Sequence, residues 1–250
     1  MQIKNVPAIT PRYWTAILVA SMCGANTGDF LSHNLHLGHW RGLPPLAILF
    51  VVILWFERRA RVATEAYYWL AIIVIRTAAT NLADLCTHDL GLGYAVIEPG
   101  FTLLLIAFVA ADRGRRPDAP AVAARNAPMV PATNTLYWLA MLTAGTLGTA
   151  SGDFTAGPAG LGLFYGSAVL TAVFFVVLAF ASGFGAMSKP WYWASIVGAR
   201  TAGTTLGDML ASRHGLDLGL SVSTLVTGSL LAAVILLWPR NRGIQAVSAD

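Results

Sequence analysis

The chain has 250 residues, of which 56% are hydrophobic and 11% are charged. Soluble domains carry about 25% charged residues, so this deficit and a mean hydropathy of +0.63 exclude an ordinary soluble domain and predict an all-α integral membrane protein. The net charge of +4 does not indicate nucleic-acid binding, because the basic residues lie mostly in short loops, as in membrane topology.

A two-helix unit repeats four times along the chain. Each copy begins with Tyr-Trp, and an Asp follows the Trp fifteen residues later in every copy. The pairs are Tyr13-Trp14, Tyr68-Trp69, Tyr137-Trp138 and Tyr192-Trp193, and the aspartates are Asp29, Asp84, Asp153 and Asp208. A second apolar segment follows each Asp, at about 43–56, 94–111, 161–181 and 218–238. The repeats therefore predict a bundle of eight transmembrane helices, with a short second helix in repeat one because it begins at Pro44-Pro45.

The repeats group into two pseudo-symmetric halves. Residues 1–111 hold repeats one and two (helices 1–4), and residues 137–239 hold repeats three and four (helices 5–8). Between them, residues 112–136 form a linker rich in Ala, Pro and Arg, and residues 240–250 form a tail. Arg76 and Arg200 occupy one position in repeats two and four, where repeats one and three have Ser21 and Gly145.

Loop charge predicts the orientation. Twelve basic residues lie in the N-terminus, the inter-repeat linkers and the C-terminus: Lys4, Arg12, Arg58, Arg59, Arg61, Arg113, Arg115, Arg116, Arg125, Lys189, Arg240 and Arg242. The turns within repeats hold only Arg41 and Arg213. This excess predicts a multi-pass protein of the bacterial inner membrane with both termini, the linker and the tail in the cytoplasm, and with four parallel repeats.

The first helix of each repeat carries small residues four positions apart, ending beside the Asp. They are Gly24 and Gly28, Ala79 and Ala83, Gly148 and Gly152, and Gly203 and Gly207. Such pairs let helix backbones approach closely. We therefore expect the four first helices at the centre of the bundle and the second helices outside. The Tyr-Trp pairs are expected to anchor the bundle at a membrane interface.

Charged residues inside the spans are the candidate ion or substrate pathway. These are Asp29, Asp84, Asp153, Asp208, Arg76, Arg200 and Glu98. At ~1.5 Å per residue, the arginines lie ~10 Å and the aspartates ~22 Å from the Trp, within a ~30 Å core. Intramembrane charges are usually functional or paired, and five acids against two arginines leave carboxylates that need protons or a cation. Two structural alternatives stay open: the aspartates cap helices at the outer surface, or they form Arg–Asp clamps.

Histidines follow two of the aspartates at a four-residue spacing. If the helix continues, Asp29 with His33 and Asp84 with His88 share a face and form a candidate site for Zn²⁺, Mn²⁺ or a similar ion. The sequence contains no recognisable nucleotide, nucleophile or paired-cysteine motif. We therefore expect no enzymatic activity, and the cofactor stays unknown.

The same residues carry a resemblance to a known family. The Tyr-Trp pair, followed by Arg-Thr-Ala-Gly-Thr-Thr-Leu-Gly-Asp from Arg200 to Asp208, resembles a bacterial family of membrane-anchored proteins with four tandem repeats of unknown function. Each family repeat has two spans and a characteristic Trp. The resemblance covers about residues 13–238, with repeats one and three departing from the Arg-Thr-Ala pattern. It implies the architecture and no activity.

These observations favour a small secondary transporter. The expected substrate is a cation, above all a divalent metal ion, or another small solute, with proton coupling as an option. The expected partner is the lipid bilayer, and the oligomeric state is open. The alternative is a non-transporting partner or sensor subunit whose Arg and Asp residues hold helices together. An intramembrane enzyme is the third and weakest hypothesis.

Overall fold

A computed structural model describes residues 6–61, 64–112, 133–183 and 188–238 of the chain. This part is all-helical, as predicted, and contains eight long α-helices. They are α1 Pro11–Asp29, α2 Gly38–Arg59, α3 Ala66–Asp84, α4 Tyr94–Ala111, α5 Thr135–Ala156, α6 Gly162–Gly183, α7 Lys189–Ala211 and α8 Gly219–Leu237. The 240–250 tail and most of the 112–136 linker lie outside the described residues, as do Lys4, Arg113, Arg115, Arg116, Arg125, Arg240 and Arg242.

The first helices of the four repeats form a closed ring. Helix α1 packs on α3, α3 on α5, α5 on α7, and α7 returns to α1. Each second helix packs chiefly on the first helix of the next repeat: α2 on α3, α4 on α5, α6 on α7 and α8 on α1. The expected arrangement, with first helices inside and second helices outside, is therefore present, and neighbouring repeats interlock around the whole ring.

Small residues bring the central helices together, as the sequence predicts. A Cβ atom added to Gly148 on α5 would lie 2.7 Å from the Arg200 side chain on α7. In the same way Gly24 on α1 faces the Cβ of Arg76 on α3, and Gly203 on α7 faces Ser21 on α1. These contacts leave no room for a larger side chain at the glycines, so the spacing of the ring depends on them.

Five helices are long and apolar enough to cross a membrane: α2, α4, α6, α8 and α3 with its extension to Asp89. The four outer helices expose large apolar side chains, among them Ile48, Leu103, Phe164 and Leu225, each at least 65% exposed. An apolar surface of this kind favours a membrane-embedded protein. Helices α1, α5 and α7 bury many Gly, Ser and Thr residues, among them Gly24, Thr149 and Gly203, where the central helices meet.

The prediction of a short second helix in repeat one is wrong. Helix α2 begins at Gly38 and has 22 residues, with Pro44 and Pro45 inside it. The prolines fall in the second turn, past the first four amides that lack partners in any helix, so each removes one intrahelical hydrogen bond. Gly42 also packs against the side chain of Asn81 on α3, so tertiary contact supports the turn that the prolines weaken.

Candidate functional site: the axis of the central helices

The hydroxyl groups of four tyrosines close one end of the axis. Tyr13 bonds to Tyr68 at 2.9 Å and to Tyr192 at 2.7 Å, and Tyr137 bonds to Tyr68 at 2.8 Å and to Tyr192 at 3.1 Å. Each hydroxyl can donate once and accept once around this ring, so all four are satisfied without water. We call these residues the tyrosine ring and this end of the bundle the Tyr end.

The expected membrane-anchoring role of the Tyr-Trp pairs is therefore wrong. The tyrosines are at most 3% exposed and the tryptophans at most 6%, whereas an interfacial belt faces lipid headgroups. Each tryptophan instead packs on the tyrosine of the preceding repeat, with ring centroids 5.6–6.0 Å apart. The last of these contacts joins Trp14 to Tyr192, so the aromatic layer is also a closed ring.

One helical turn further along, four aliphatic side chains form a second layer. They are Ile17, Ile72, Met141 and Ile196, all with no exposed surface. Each lies four residues after its tyrosine. This layer separates the tyrosine ring from the charged residues of the axis.

The next layer contains both buried arginines. Arg76 on α3 and Arg200 on α7 enter from opposite sides of the ring, since α3 and α7 are each flanked by α1 and α5. Both side chains are fully buried. The equivalent residues on α1 and α5 are Ser21 and Gly145, whose small size gives the guanidinium groups room.

Arg200 is held by hydrogen bonds to the other three central helices. Its acceptors are the carbonyl oxygens of Ser21 at 2.8 Å, Arg76 at 3.2 Å and Gly145 at 3.4 Å, and the hydroxyls of Thr149 at 2.8 Å and of Thr80. Arg76 differs from it. None of its three guanidinium nitrogens has a hydrogen-bond partner among the described residues.

Threonines occupy the following layer in three of the four repeats. Thr80, Thr149 and Thr204 are almost completely buried, and repeat one has Ala25 at the same position. The hydroxyls of Thr149 and Thr204 lie 3.5 Å apart, and that of Thr80 donates to the carbonyl of Gly24 at 3.4 Å. The layer thus presents hydroxyl groups between the arginines and the aspartates.

The four aspartates lie together at the opposite end, which we call the Asp end. Asp84 is 8% exposed and the other three are half-buried. Their carboxyl groups are close enough to interact electrostatically with one another. The role of these residues in an ion or substrate pathway stays a prediction.

Neither structural alternative for the aspartates is present in the described residues. Asp29 and Asp84 make no side-chain capping bond where the helix continues into a wider turn, at Phe30–Asn34 and Leu85–Asp89. Asp153 and Asp208 lie inside α5 and α7. No ion pair joins Arg76 or Arg200 to a carboxylate in the described part of the chain. Glu98 lies apart from the ring, half-buried on the outer helix α4.

Sequence comparison places the chain in a family. The family model described as Repeat of Unknown Function (DUF347) matches residues 12–63, 67–115 and 191–243. The chain belongs to this family. No curated protein and no solved structure matches it.

The three matched segments correspond to repeats one, two and four of this chain. Repeat three, which the family model does not match, nevertheless supplies Tyr137 to the tyrosine ring and Thr149 to the threonine layer. It also packs between α3 and α7 in the same manner as the other first helices. Four equivalent units therefore build the axis.

Histidines gather beside the aspartates on the outer side of the Asp end. The Nδ1 atom of His88 lies 3.7 Å from the Asp84 carboxylate, and His39 bonds to Asp89 at 2.9 Å. The rings of His33 and His88 lie 5.7 and 6.2 Å from that of His39. His39 lies between the two expected Asp/His groups. No set of three or more His, Cys, Asp or Glu in the described ranges is arranged to hold a metal ion.

Proposed function

We propose that the protein is a small secondary transporter of the bacterial inner membrane, in which solute passes along the axis of the four central helices. The observation that supports this proposal is the order of layers on that axis. Carboxylates and hydroxyls lead from the Asp end to two buried arginines, and an aliphatic layer and the tyrosine ring close the Tyr end. Charged groups at membrane depth are usually kept for transport or proton relay.

The aspartates are the proposed coupling site. Four carboxyl groups in one partly buried cluster cannot all stay charged without compensation, so the cluster would take up protons or a cation. A divalent metal ion is the expected cation, with His33 and His88 beside Asp29 and Asp84 as additional donors. Occupation of this cluster would be the step that links ion movement to solute movement.

The proposed orientation puts the Tyr end at the cytoplasm and the Asp end outside. The support is the basic residues near the Tyr end, such as Arg12, Arg58, Arg59 and Lys189, since positive residues are retained on the cytoplasmic side. A reporter fused to the C-terminus tests this. Activity of a cytoplasm-dependent reporter is expected, and activity of a periplasm-dependent reporter alone would contradict the orientation.

Uptake into proteoliposomes tests the transport proposal. Purified protein is reconstituted and supplied with Mn²⁺, Zn²⁺ or small organic and inorganic anions, with and without an imposed pH gradient. We expect accumulation of at least one solute above empty liposomes and its loss in Asp208→Asn. The matched control is Asp217→Asn, a charge removal at an exposed turn residue. Uptake by Asp208→Asn equal to that of the unchanged protein would refute the proposal.

A non-transporting membrane subunit is the second candidate. The observation that favours it is the way Arg200 bonds to three neighbouring helices, which is what a purely structural residue would do. In this case Asp208→Asn would prevent folding, and adding Arg76→Ala to it would not lower the yield of folded protein further. Yield and size-exclusion profiles of the single and double variants separate the two candidates.

A further inference from the structure

The two buried arginines are satisfied to very different extents. Arg200 has an acceptor for each of its three nitrogens, and Arg76, in the same layer and equally buried, has none among the described residues. Leaving a buried charged donor without an acceptor is costly, and more so away from water. Arg76 therefore lacks something that the chain supplies to Arg200.

The repeat pattern identifies one acceptor that Arg76 lacks. Arg200 bonds to the hydroxyl of Thr149 on the preceding central helix, at 2.8 and 3.1 Å. The residue in the same position relative to Arg76 is Ala25 on α1, which has no hydroxyl. Repeat one is the only one of the four with an apolar side chain there, and it precedes Arg76, the arginine without a hydrogen-bond partner among the described residues.

The charge around Arg76 also suits an anion. The Nη1 atom of Arg76 lies 3.9 Å from the place that a Cβ of Gly145 on the adjacent helix α5 would occupy, so Gly145 places no side chain beside the guanidinium. No carboxylate in the described residues pairs with Arg76. The aspartates are eight residues along the helix, about 12 Å away.

We infer that Arg76, with Arg200 beside it, binds a small oxyanion on the axis of the bundle. A guanidinium presents parallel donors that match the two oxygens of a carboxylate, nitrate or phosphate group. The ligand is small because Arg76 is fully enclosed. This inference rests on the proposed axial pathway and specifies its solute. Because an anion from the Asp end passes the carboxylate cluster, it travels with cations or protons that neutralise that cluster.

Anion binding to the purified protein tests the inference without any transport step. The probes are the sodium salts of formate, nitrate, sulfate and phosphate, with sodium chloride at equal ionic strength as reference, followed by thermal unfolding and by titration calorimetry. We expect at least one oxyanion to raise the unfolding temperature in a saturable manner. Arg76→Gln should weaken its binding about tenfold or more, the equivalent of one charge-assisted hydrogen bond.

Two further variants separate a lost site from a lost fold. Arg213→Gln removes the same charge from an exposed turn and should bind like the unchanged protein. Ala25→Thr keeps the arginine and adds the hydroxyl that Thr149 supplies in the other half. It should fold, and it should bind the oxyanion more weakly because Arg76 then has an internal partner.

The outcomes for binding and for transport are distinct. If no oxyanion binds more tightly than chloride, or if Arg76→Gln and Ala25→Thr both bind like the unchanged protein, the inference is wrong, even when cation uptake is observed. If an oxyanion binds through Arg76 but neither it nor a cation is taken up by proteoliposomes, the anion site stands and the transport proposal fails.

Discussion

Replacing Tyr13 by Phe should destabilise the bundle through the tyrosine ring alone. The change removes two hydrogen bonds, of 2.9 and 2.7 Å, and leaves one buried hydroxyl proton without an acceptor. Hydrogen bonds between membrane helices contribute ~0.6 kcal/mol on average and up to ~1.7. With the orphaned donor added, we expect the free energy of unfolding to fall by about 1–3 kcal/mol. The matched control Tyr165→Phe, at a side chain 67% exposed on α6, should change it by less than about 0.5 kcal/mol.

The closed ring makes a sharper prediction for combined variants. Tyr13→Phe with Tyr137→Phe removes all four bonds and leaves two isolated hydroxyls, because the two residues stand at opposite corners. Changing all four tyrosines also removes four bonds but leaves no hydroxyl without a partner, which is the less costly condition. The fourfold variant should therefore be more stable than the double variant, as measured by reversible unfolding in mixed micelles. A fourfold variant that is less stable than the double would refute the closed ring.

Two other contacts give predictions of stability that the same unfolding assay can check. Gly148→Ala should lower the free energy of unfolding by about 1–3 kcal/mol, because its Cβ would lie 2.7 Å from the Arg200 side chain. The control Gly100→Ala, whose Cβ would have nothing within 4 Å, should not lower it. Equal effects of the two variants would contradict the close packing of α5 on α7. Arg12 forms an ion pair with Glu65 at 2.8 Å, and both side chains are nearly buried. A double-mutant cycle of Arg12→Gln and Glu65→Gln should therefore give a coupling energy of about 0.5–3 kcal/mol. A coupling energy near zero would show that the pair does not stabilise the Tyr end.

The helical architecture could be predicted because it depends on local patterns. Invariant spacing of Tyr-Trp and Asp revealed four repeats, and the small residues beside each Asp indicated which helices approach closely. The buried Gly and Thr residues of α5 and α7 have the same role, since small side chains serve helix contacts rather than lipid contacts. Only the start of α2 was misplaced, because a contact with Asn81 on another helix supports its prolines.

The tyrosine ring was missed because the sequence was evaluated on straight helices. Residues spaced four positions apart along a helix rotate around its axis by about 40° per step, at ~100° per residue. Tyr13 and Asp29 are separated by four such steps, so on a straight helix they fall on nearly opposite faces. Both ends of the row nevertheless reach the axis. Rows of this spacing are typical of helices that cross in the right-handed sense of small-residue interfaces. The four-residue spacing is visible in the sequence, but it places these side chains on the axis only because the four helices cross one another.

The hydrogen-bond partners of the two buried arginines could not be predicted from sequence spacing either. The sequence allowed each arginine to pair with an aspartate, yet Arg200 bonds to backbone and threonine oxygens, and Arg76 has no such partner in the described residues. The two arginines are identical in their local sequence, Arg-Thr-Ala. One difference between them is a residue of the neighbouring repeat, Ala25 in place of Thr149, and this neighbour relation is known only once the ring order is known.

Accessibility of the axis to a water-soluble reagent tests the central claim most directly. In a background of Cys23→Ala and Cys86→Ala, cells carrying Thr204→Cys are exposed to a membrane-impermeant thiol reagent from outside. We expect Thr204→Cys to be labelled, Ile196→Cys beyond the arginines to be protected, and Leu225→Cys on the apolar outer face to be labelled poorly. Labelling of Thr204→Cys no faster than that of Leu225→Cys would mean that no solute pathway enters from the Asp end.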